Sequence, residues 1–261
     1  MARPIAHATY IGLLISAIVT SGCASSLYGW DARTNSTPFA PGYELATVQQ
    51  VPIGLFPAVT TAGLRGNEAA ISHFLPEILM KAAPHWKVVP PHEIMAGINK
   101  HKLAQVYFQM RTDYDGSNFF DVVHLRQIAE AVGARYVFQP RLVAFSQTMT
   151  DRWKFPPFNL LVSQTRSSNM RLMAQLWDVQ TGAVVWASLV ETTMQNEAIS
   201  QDPVYLEDVT RATVGSVVAD LLSGRQSSKY TAVNKFLDDL ITESMPKATP
   251  DDNQLGTKDK K

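Results

Sequence analysis

Residues 121–194 constrain the fold more than any other stretch. In DVVHLRQIAEAV, Leu125, Ile128, Ala129 and Val132 recur at i, i+3, i+4 and i+7, which is one apolar face of a helix. Gly133 follows the last turn, where a residue free to adopt φ > 0 ends a helix. ARYVFQPRLVAF comes at once, rich in aromatic and β-branched residues, and is expected to be a strand. Further on, Met170, Leu172, Ala174 and Leu176 alternate with Asn169, Arg171, Met173 and Gln175, the period of a half-buried strand. The turn VQTG then reverses the chain into AVVWASLVETTM, an antiparallel neighbour. Asp178 and Gly182 bracket that structural turn: glycine supplies φ > 0, and the aspartate bonds nearby backbone amides. Trp186 and Val184 are expected on one core-facing side of the last strand. Pro140 cannot donate to a ladder, so its strand must bulge or lie at an edge there.

The rest of the chain supplies the flanking elements. Val51, Ile53 and Leu55 mark a short first strand, and HWKVVP at 85–90 a second. Between them Asn67 is the expected N-cap of a helix with Ile71, Phe74, Leu75, Ile78, Leu79 and Ala82 on one face, which Pro76 should kink or open in its second half. A short helix is expected around Glu93–Asn99, followed by a poorly patterned segment up to Asn118. Leu206, Val209, Val214, Val217, Val218, Leu221 and Leu222 form a helical stripe that Gly224 should end; Val233, Phe236, Leu237, Leu240 and Ile241 form another. This order implies α/β architecture: a single three-layer domain at 48–244, with a mixed sheet, a C-terminal antiparallel hairpin and flanking helices. Residues 245–261 have almost no apolar content and are expected to be a disordered tail.

The start of the chain reads as an address. Arg3 is followed by the nine-residue apolar run IGLLISAIV, too short for a bilayer span of about 20 residues but suited to a signal peptide. Thr20-Ser21-Gly22 places small residues before Cys23, the only cysteine of the chain. This resembles the lipobox of bacterial lipoproteins, with Thr20 where that family usually has Leu. The resemblance implies cleavage after residue 22, acylation of Cys23 with chains such as palmitate, and, with Ala24 next, transfer to the outer membrane with the domain in the periplasm. Residues 23–47, mixed in Ser, Thr, Asn, Gly and Pro, are expected to be a tether, with Tyr28, Trp30, Phe39 and Tyr43 packing back on the domain.

LRQIAEAVGARYVFQPRL, with its helix, glycine, small residue and Tyr-Val, resembles the corresponding passage of the CsgG family of curli-secretion lipoproteins. The LpoB-type activators of peptidoglycan synthases and the TolB amino-terminal domain share that passage. RLMAQLWDVQTGAVVWASLVET is similar to their next segment. The resemblance implies a sheet with helices packed on it and is weak for function.

Chemistry is sparse. A single cysteine rules out an intramolecular disulfide or a paired-cysteine metal site. His92-Glu93 begins like a zincin motif, but no histidine follows at i+4. There is no G-x-S-x-G elbow, and Gly63-Leu64-Arg65-Gly66 lacks the Lys-Ser/Thr of a P-loop. No catalytic residue, metal site or cofactor is expected. The 23 basic and 23 acidic side chains balance to zero, which argues against nucleic acid. The one odd feature is an expected loop inserted at 149–168, where Trp153, Phe155, Phe158, Leu160 and Leu161 cluster as candidate partner-binding residues. The expected function is a non-catalytic accessory or assembly factor, membrane-bound through its N-terminal lipid, that binds another cell-envelope protein. The alternatives are a subunit of a curli-type secretion channel, against which Pro156-Pro157 interrupts any barrel strand, and a periplasmic hydrolase.

Overall fold

The computed structural model describes residues 27–155, 160–198 and 204–226. A seven-stranded mixed sheet organises them. Its strands are β1 (Leu27–Ser36), β2 (Ile53–Leu55), β3 (Val59–Thr60), β4 (Val88–Val89), β5 (Tyr136–Phe155), β6 (Leu160–Asp178) and β7 (Val184–Ala198). The spatial order is β1-β7-β6-β5-β2-β4, with β3 pairing β5 beyond the end of β2. The pairs β2–β4, β2–β5 and β3–β5 are parallel, while β5–β6, β6–β7 and β1–β7 are antiparallel. The helices are α1 (Leu45–Val48), α2 (Glu68–Ala82), α3 (Pro91–Lys100), α4 (Ala104–Ser117), α5 (Val122–Val132) and α6 (Leu206–Ser223).

The alternation read from sequence becomes two cores, one on each face of the sheet. Leu172, Ala174, Leu176, Phe138 and Trp186 pack under α2 and α6, which supply Ile71, Leu75, Ile78, Val214, Val217 and Leu221. On the other face Val137 and Trp177 meet Ile94 and Ile98 of α3, Met110 and Tyr114 of α4, and Leu125 and Ile128 of α5. Three layers result. Gly133 closes α5 at φ +70°, as expected, and at its start Asp121, which the sequence reading did not single out, accepts from the amides of Val123 and His124 at 2.9 and 3.0 Å. Gly224 closes α6 likewise at φ +63°. The helix α2 is continuous across Pro76, and its N-cap Asn67 makes no side-chain cap hydrogen bond.

Four features differ from the sequence reading. First, residues 27–36 are not tether but an edge strand, paired with β7 from Leu27↔Glu197 to Ser36↔Ser188. The stretch after it is strapped down too, by Thr37 and Ala40 amides donating to the carbonyls of Ala187 and Val185, both at 2.8 Å. Phe39 and Tyr43 do pack on the core, as expected. Second, the segment before Asn118 forms α4. Its pattern is weak because it buries only Met110 and Tyr114 and leaves Phe108 exposed. Third, Val184 lies in the core opposite to that of Trp186. A register shift between Leu176 and Trp177 breaks the alternation there.

Fourth, residues 149–155 and 160–168 are strand, not loop. The strands β5 and β6 run on as an antiparallel ladder through Thr150↔Thr165 to Phe155↔Leu160, with register shifts near Trp153. Alternation fails as a signal here because polar residues occupy both faces of the ladder. Pro140 meets its expectation in an instructive way: β2 pairs β5 as far as Phe138 and β3 resumes at Arg141, so the proline falls in the gap. There the carbonyl of Pro57 accepts instead from Gln139 Nε2 and from the Arg111 guanidinium, both at 3.1 Å.

Candidate functional site

The two ends of the sheet differ in character. At the end carrying the 179–182 turn, polar groups are locked together. Asp178, 1% exposed, forms a bidentate ion pair with Arg135 and accepts from the hydroxyl of Tyr43 at 2.8 Å. Its Oδ1 also accepts from the Gln180 amide at 2.7 Å and from that of Thr181 at 3.3 Å. Burial pushes the carboxyl up, but Arg135, Tyr43 and the two amides outweigh it and hold it at about 2. Gly182 at φ +71° donates to the Asp178 carbonyl, as the turn requires, and its Cα side faces Val122, so a Cβ there would lie 2.9 Å from Val122 Cγ2. Asp178 and Gly182 thus bracket a turn closed by hydrogen bonds at both ends. Arg135 and Tyr43, far away in sequence, complete the lock.

The opposite end is open. Beyond Leu142 the outer side of β5 has no strand partner among the described residues, since β2 and β3 pair it only up to that point. Ser146, Gln147, Thr148, Met149 and Thr150 are all exposed on this edge, Met149 at 58%. On the α6 side an open groove of about 250 Å3 lies between Gln147, Met149, Arg166, Ser168 and Val204. Gln147 Nε2 donates to Ser168 Oγ and to the Val204 carbonyl, both at 3.1 Å, while Arg166 Nε has no acceptor. On the other face the half-buried polar side chains pair among themselves. Arg171 and then Asn169 hydrogen-bond Glu191 and hold its carboxyl below the usual range.

One further carboxylate stands apart. Asp220 of α6, 3% exposed, accepts from Ser188 Oγ at 2.8 Å with no cation bonded to it among the described residues, and burial pushes it up. It faces β7 from inside the core and reaches no groove described above. Among the described residues no three His, Cys, Asp or Glu side chains converge as metal ligands, and no helix is long and apolar enough to cross a membrane.

The partner candidates fall at the open end. The backbones of Trp153 and Phe155 lie on β5 and those of Leu160 and Leu161 on β6, where Phe155 pairs with Leu160 and Lys154 with Leu161. Phe158 and Cys23 lie outside the described residues. The structure thus brings four of the five candidates to one hairpin end, contiguous with the free β5 edge that alternation alone did not reveal. Pro140 marks the handover from β2 to β3, and the free edge begins after Leu142, where β3 ends.

No family model matches the chain, and no curated protein matches it. Among solved structures, the PelC dodecamer from Paraburkholderia phytofirmans is similar at 13% identity, over 73% of this chain and 96% of that one, with a TM-score of 0.40. The LpoB C-terminal domain from Salmonella enterica is similar at 18% identity, over 58% and 86%, with a TM-score of 0.33. A lipoprotein from Neisseria meningitidis is similar at 11% identity, over 66% and 96%, with a TM-score of 0.34.

Proposed function

We propose that the protein is a lipoprotein anchored in the outer membrane through Cys23, and that its domain is a non-catalytic accessory factor which takes a segment of another cell-envelope protein onto the β5 edge. The observation that carries this reading is the unpaired outer side of β5 from Val143 to Phe155 among the described residues. A strand edge of that length presents alternating amide and carbonyl groups, and an extended peptide satisfies them by adding a strand. The exposed polar side chains of Ser146, Gln147, Thr148 and Thr150 keep the edge soluble while leaving its backbone accessible. The lipobox-like Thr20–Cys23 supplies the address.

The test is a photo-crosslinking amino acid placed at Ser146 or Thr148 of the full chain in living Gram-negative cells, with Lys100 on α3 as the control position. A discrete protein adduct from 146 and 148 but not from 100 is expected. Adducts absent from both edge positions, with the protein folded and in the membrane fraction, would overturn the edge. Cys23→Ser is expected to release the protein from that fraction.

A further inference from the structure

We propose that the segment added to the β5 edge is acidic, and that one of its glutamates seats in the groove between β5 and Val204, on the guanidinium of Arg166. The inference rests on the edge reading above and names the chemistry of what that edge takes. The arginines of the sheet are unequally matched. Arg33 lies 3.5 Å from an oxygen of Asp31, Arg171 lies 3.0 Å from one of Glu191, and Arg135, just before β5, is held by Asp178. Arg141 and Arg166 have no carboxylate partner among the described residues. Arg141 donates to the neutral Oδ1 of Asn118 at 2.7 Å and stands 5.8 Å from the centre of the Tyr114 ring, while the buried Nε of Arg166 has no acceptor. These two flank the open stretch of β5. Arg141 sits just before it begins at Val143, and Arg166 lies in the row of Met149. Cations without carboxylates leave a positive field along the edge, and complementary charge selects what docks there.

Register places the seat. Met149 pairs with Arg166 and Gln147 with Ser168, and residues opposite each other in an antiparallel ladder share a face, here the α6 side. A strand added outside β5 puts every second side chain on that same side, in line with those rows. From there to β6 is two strand spacings, ~10 Å, which a glutamate and an arginine close from opposite sides over Gln147 and Met149. The span asks for the longer of the two acidic side chains. The groove of about 250 Å3 has room for the carboxylate, and Met149 and Val204 give apolar sides to its methylenes. Gln147 Nε2 donates to Ser168 Oγ and to the Val204 carbonyl, so the amide is occupied and the Ser168 hydroxyl keeps its own proton to give. Guanidinium and hydroxyl are then the two donors that meet the carboxylate, in a wall where charge-assisted bonds are strong.

Two extended peptides of alternating threonine and valine serve as probes, one with a central glutamate and the other with glutamine in its place. Their binding to the full chain in mild detergent is read by fluorescence anisotropy, and a photo-crosslinking amino acid at Thr148 places the bound peptide. The glutamate peptide is expected to bind about tenfold tighter, as one charge-assisted hydrogen bond provides, with the gap closing as salt is raised. Arg166→Gln should bring the glutamate peptide down to the level of the glutamine peptide and leave the latter unchanged. Arg166→Lys should restore part of the gap, which a purely structural arginine would not do. Equal binding of the two peptides to the unaltered chain, or a gap that survives Arg166→Gln, would overturn the proposal and leave the edge standing. Binding of neither peptide to the folded chain, or binding without a crosslink from 148, would overturn the edge and the proposal with it.

Discussion

Asp178→Asn isolates the lock at the closed end of the sheet. The ordinary carboxyl value of 3.8 and the folded value of about 2 differ by nearly two pH units. At about 1.4 kcal/mol per unit the charged form contributes ~2 kcal/mol to folding. Arg135 is 29% exposed, so solvent screens the pair in part and the figure is an upper one. The sign follows from the lowered folded value: the contribution is fully present above about pH 4 and is lost as the pH falls towards 2. The assay is urea unfolding of the Cys23→Ser chain with and without Asp178→Asn, at pH values on either side of that window. Asparagine keeps an acceptor for the Gln180 amide but forfeits the charge, so a deficit of ~2 kcal/mol is expected near neutrality, shrinking as the wild-type carboxyl protonates. Glu191 and Asp121, whose carboxyls are also lowered, are common to both chains and drop out of the difference. A deficit of the same size at every pH would refute the charge argument and leave only packing; no deficit would refute the lock.

Asp220 predicts the opposite sign. Its folded carboxyl is raised, so the stability held by its proton is present at low pH and lost as the pH rises through that value. Asp220→Asn should therefore raise Tm at neutral pH and leave it nearly unchanged in acid, as read by calorimetry. Gly97→Ala puts a Cβ 2.6 Å from Val132 Cγ1, where α3 crosses α5, and should cost about 1–3 kcal/mol in chemical denaturation. Tyr114→Phe removes a 2.8 Å hydrogen bond to Gln175 Oε1 and leaves that acceptor short of a donor, a loss of about 1–2 kcal/mol by the same measurement. In the intact protein the Tyr114 phenol, pushed up by burial to about 12, should be among the last tyrosines to ionise in an ultraviolet titration.

What the sequence disclosed tracks where local physical signals were strong and pointed the same way. The helix α5 was legible because its apolar face and Gly133 agree, and the Asp178–Gly182 turn because both ends of it need particular residues. The edge strand β1 was hidden: Ala32, Thr34 and Ser36 face the core, two of them hydroxyls, so the period-two signal is nearly silent. The helix α4 was hidden because it buries little and exposes Phe108. The hairpin extension was hidden because burial no longer sorts its residues: Thr148 and Met149, on opposite faces of the ladder, are both exposed. The Asp178 carboxylate was foreseen as a turn residue, but Arg135 and Tyr43 come from 43 and 135 residues away, distances over which one sequence offers no register.

The placement of these hidden elements decides where the molecule can act. The bonds that need pairing, from Asp178 to Arg135 and from Gly182 to the Asp178 carbonyl, sit at the closed end, where Tyr43 also pins the segment that follows β1. A strand paired over ten residues with β7 stays with the sheet when its N-terminal end is pulled. If Cys23 carries the anchor proposed above, motion of the domain is motion of the whole sheet about the link ahead of Leu27. Lengthening the link ahead of Leu27 frees the sheet without touching a core residue. If a partner added to β5 is met at the membrane, such an insertion should weaken the crosslink from Ser146 and Thr148 while leaving unfolding stability unchanged. An equally strong crosslink from the lengthened chain would show that the edge finds its partner independently of the anchor.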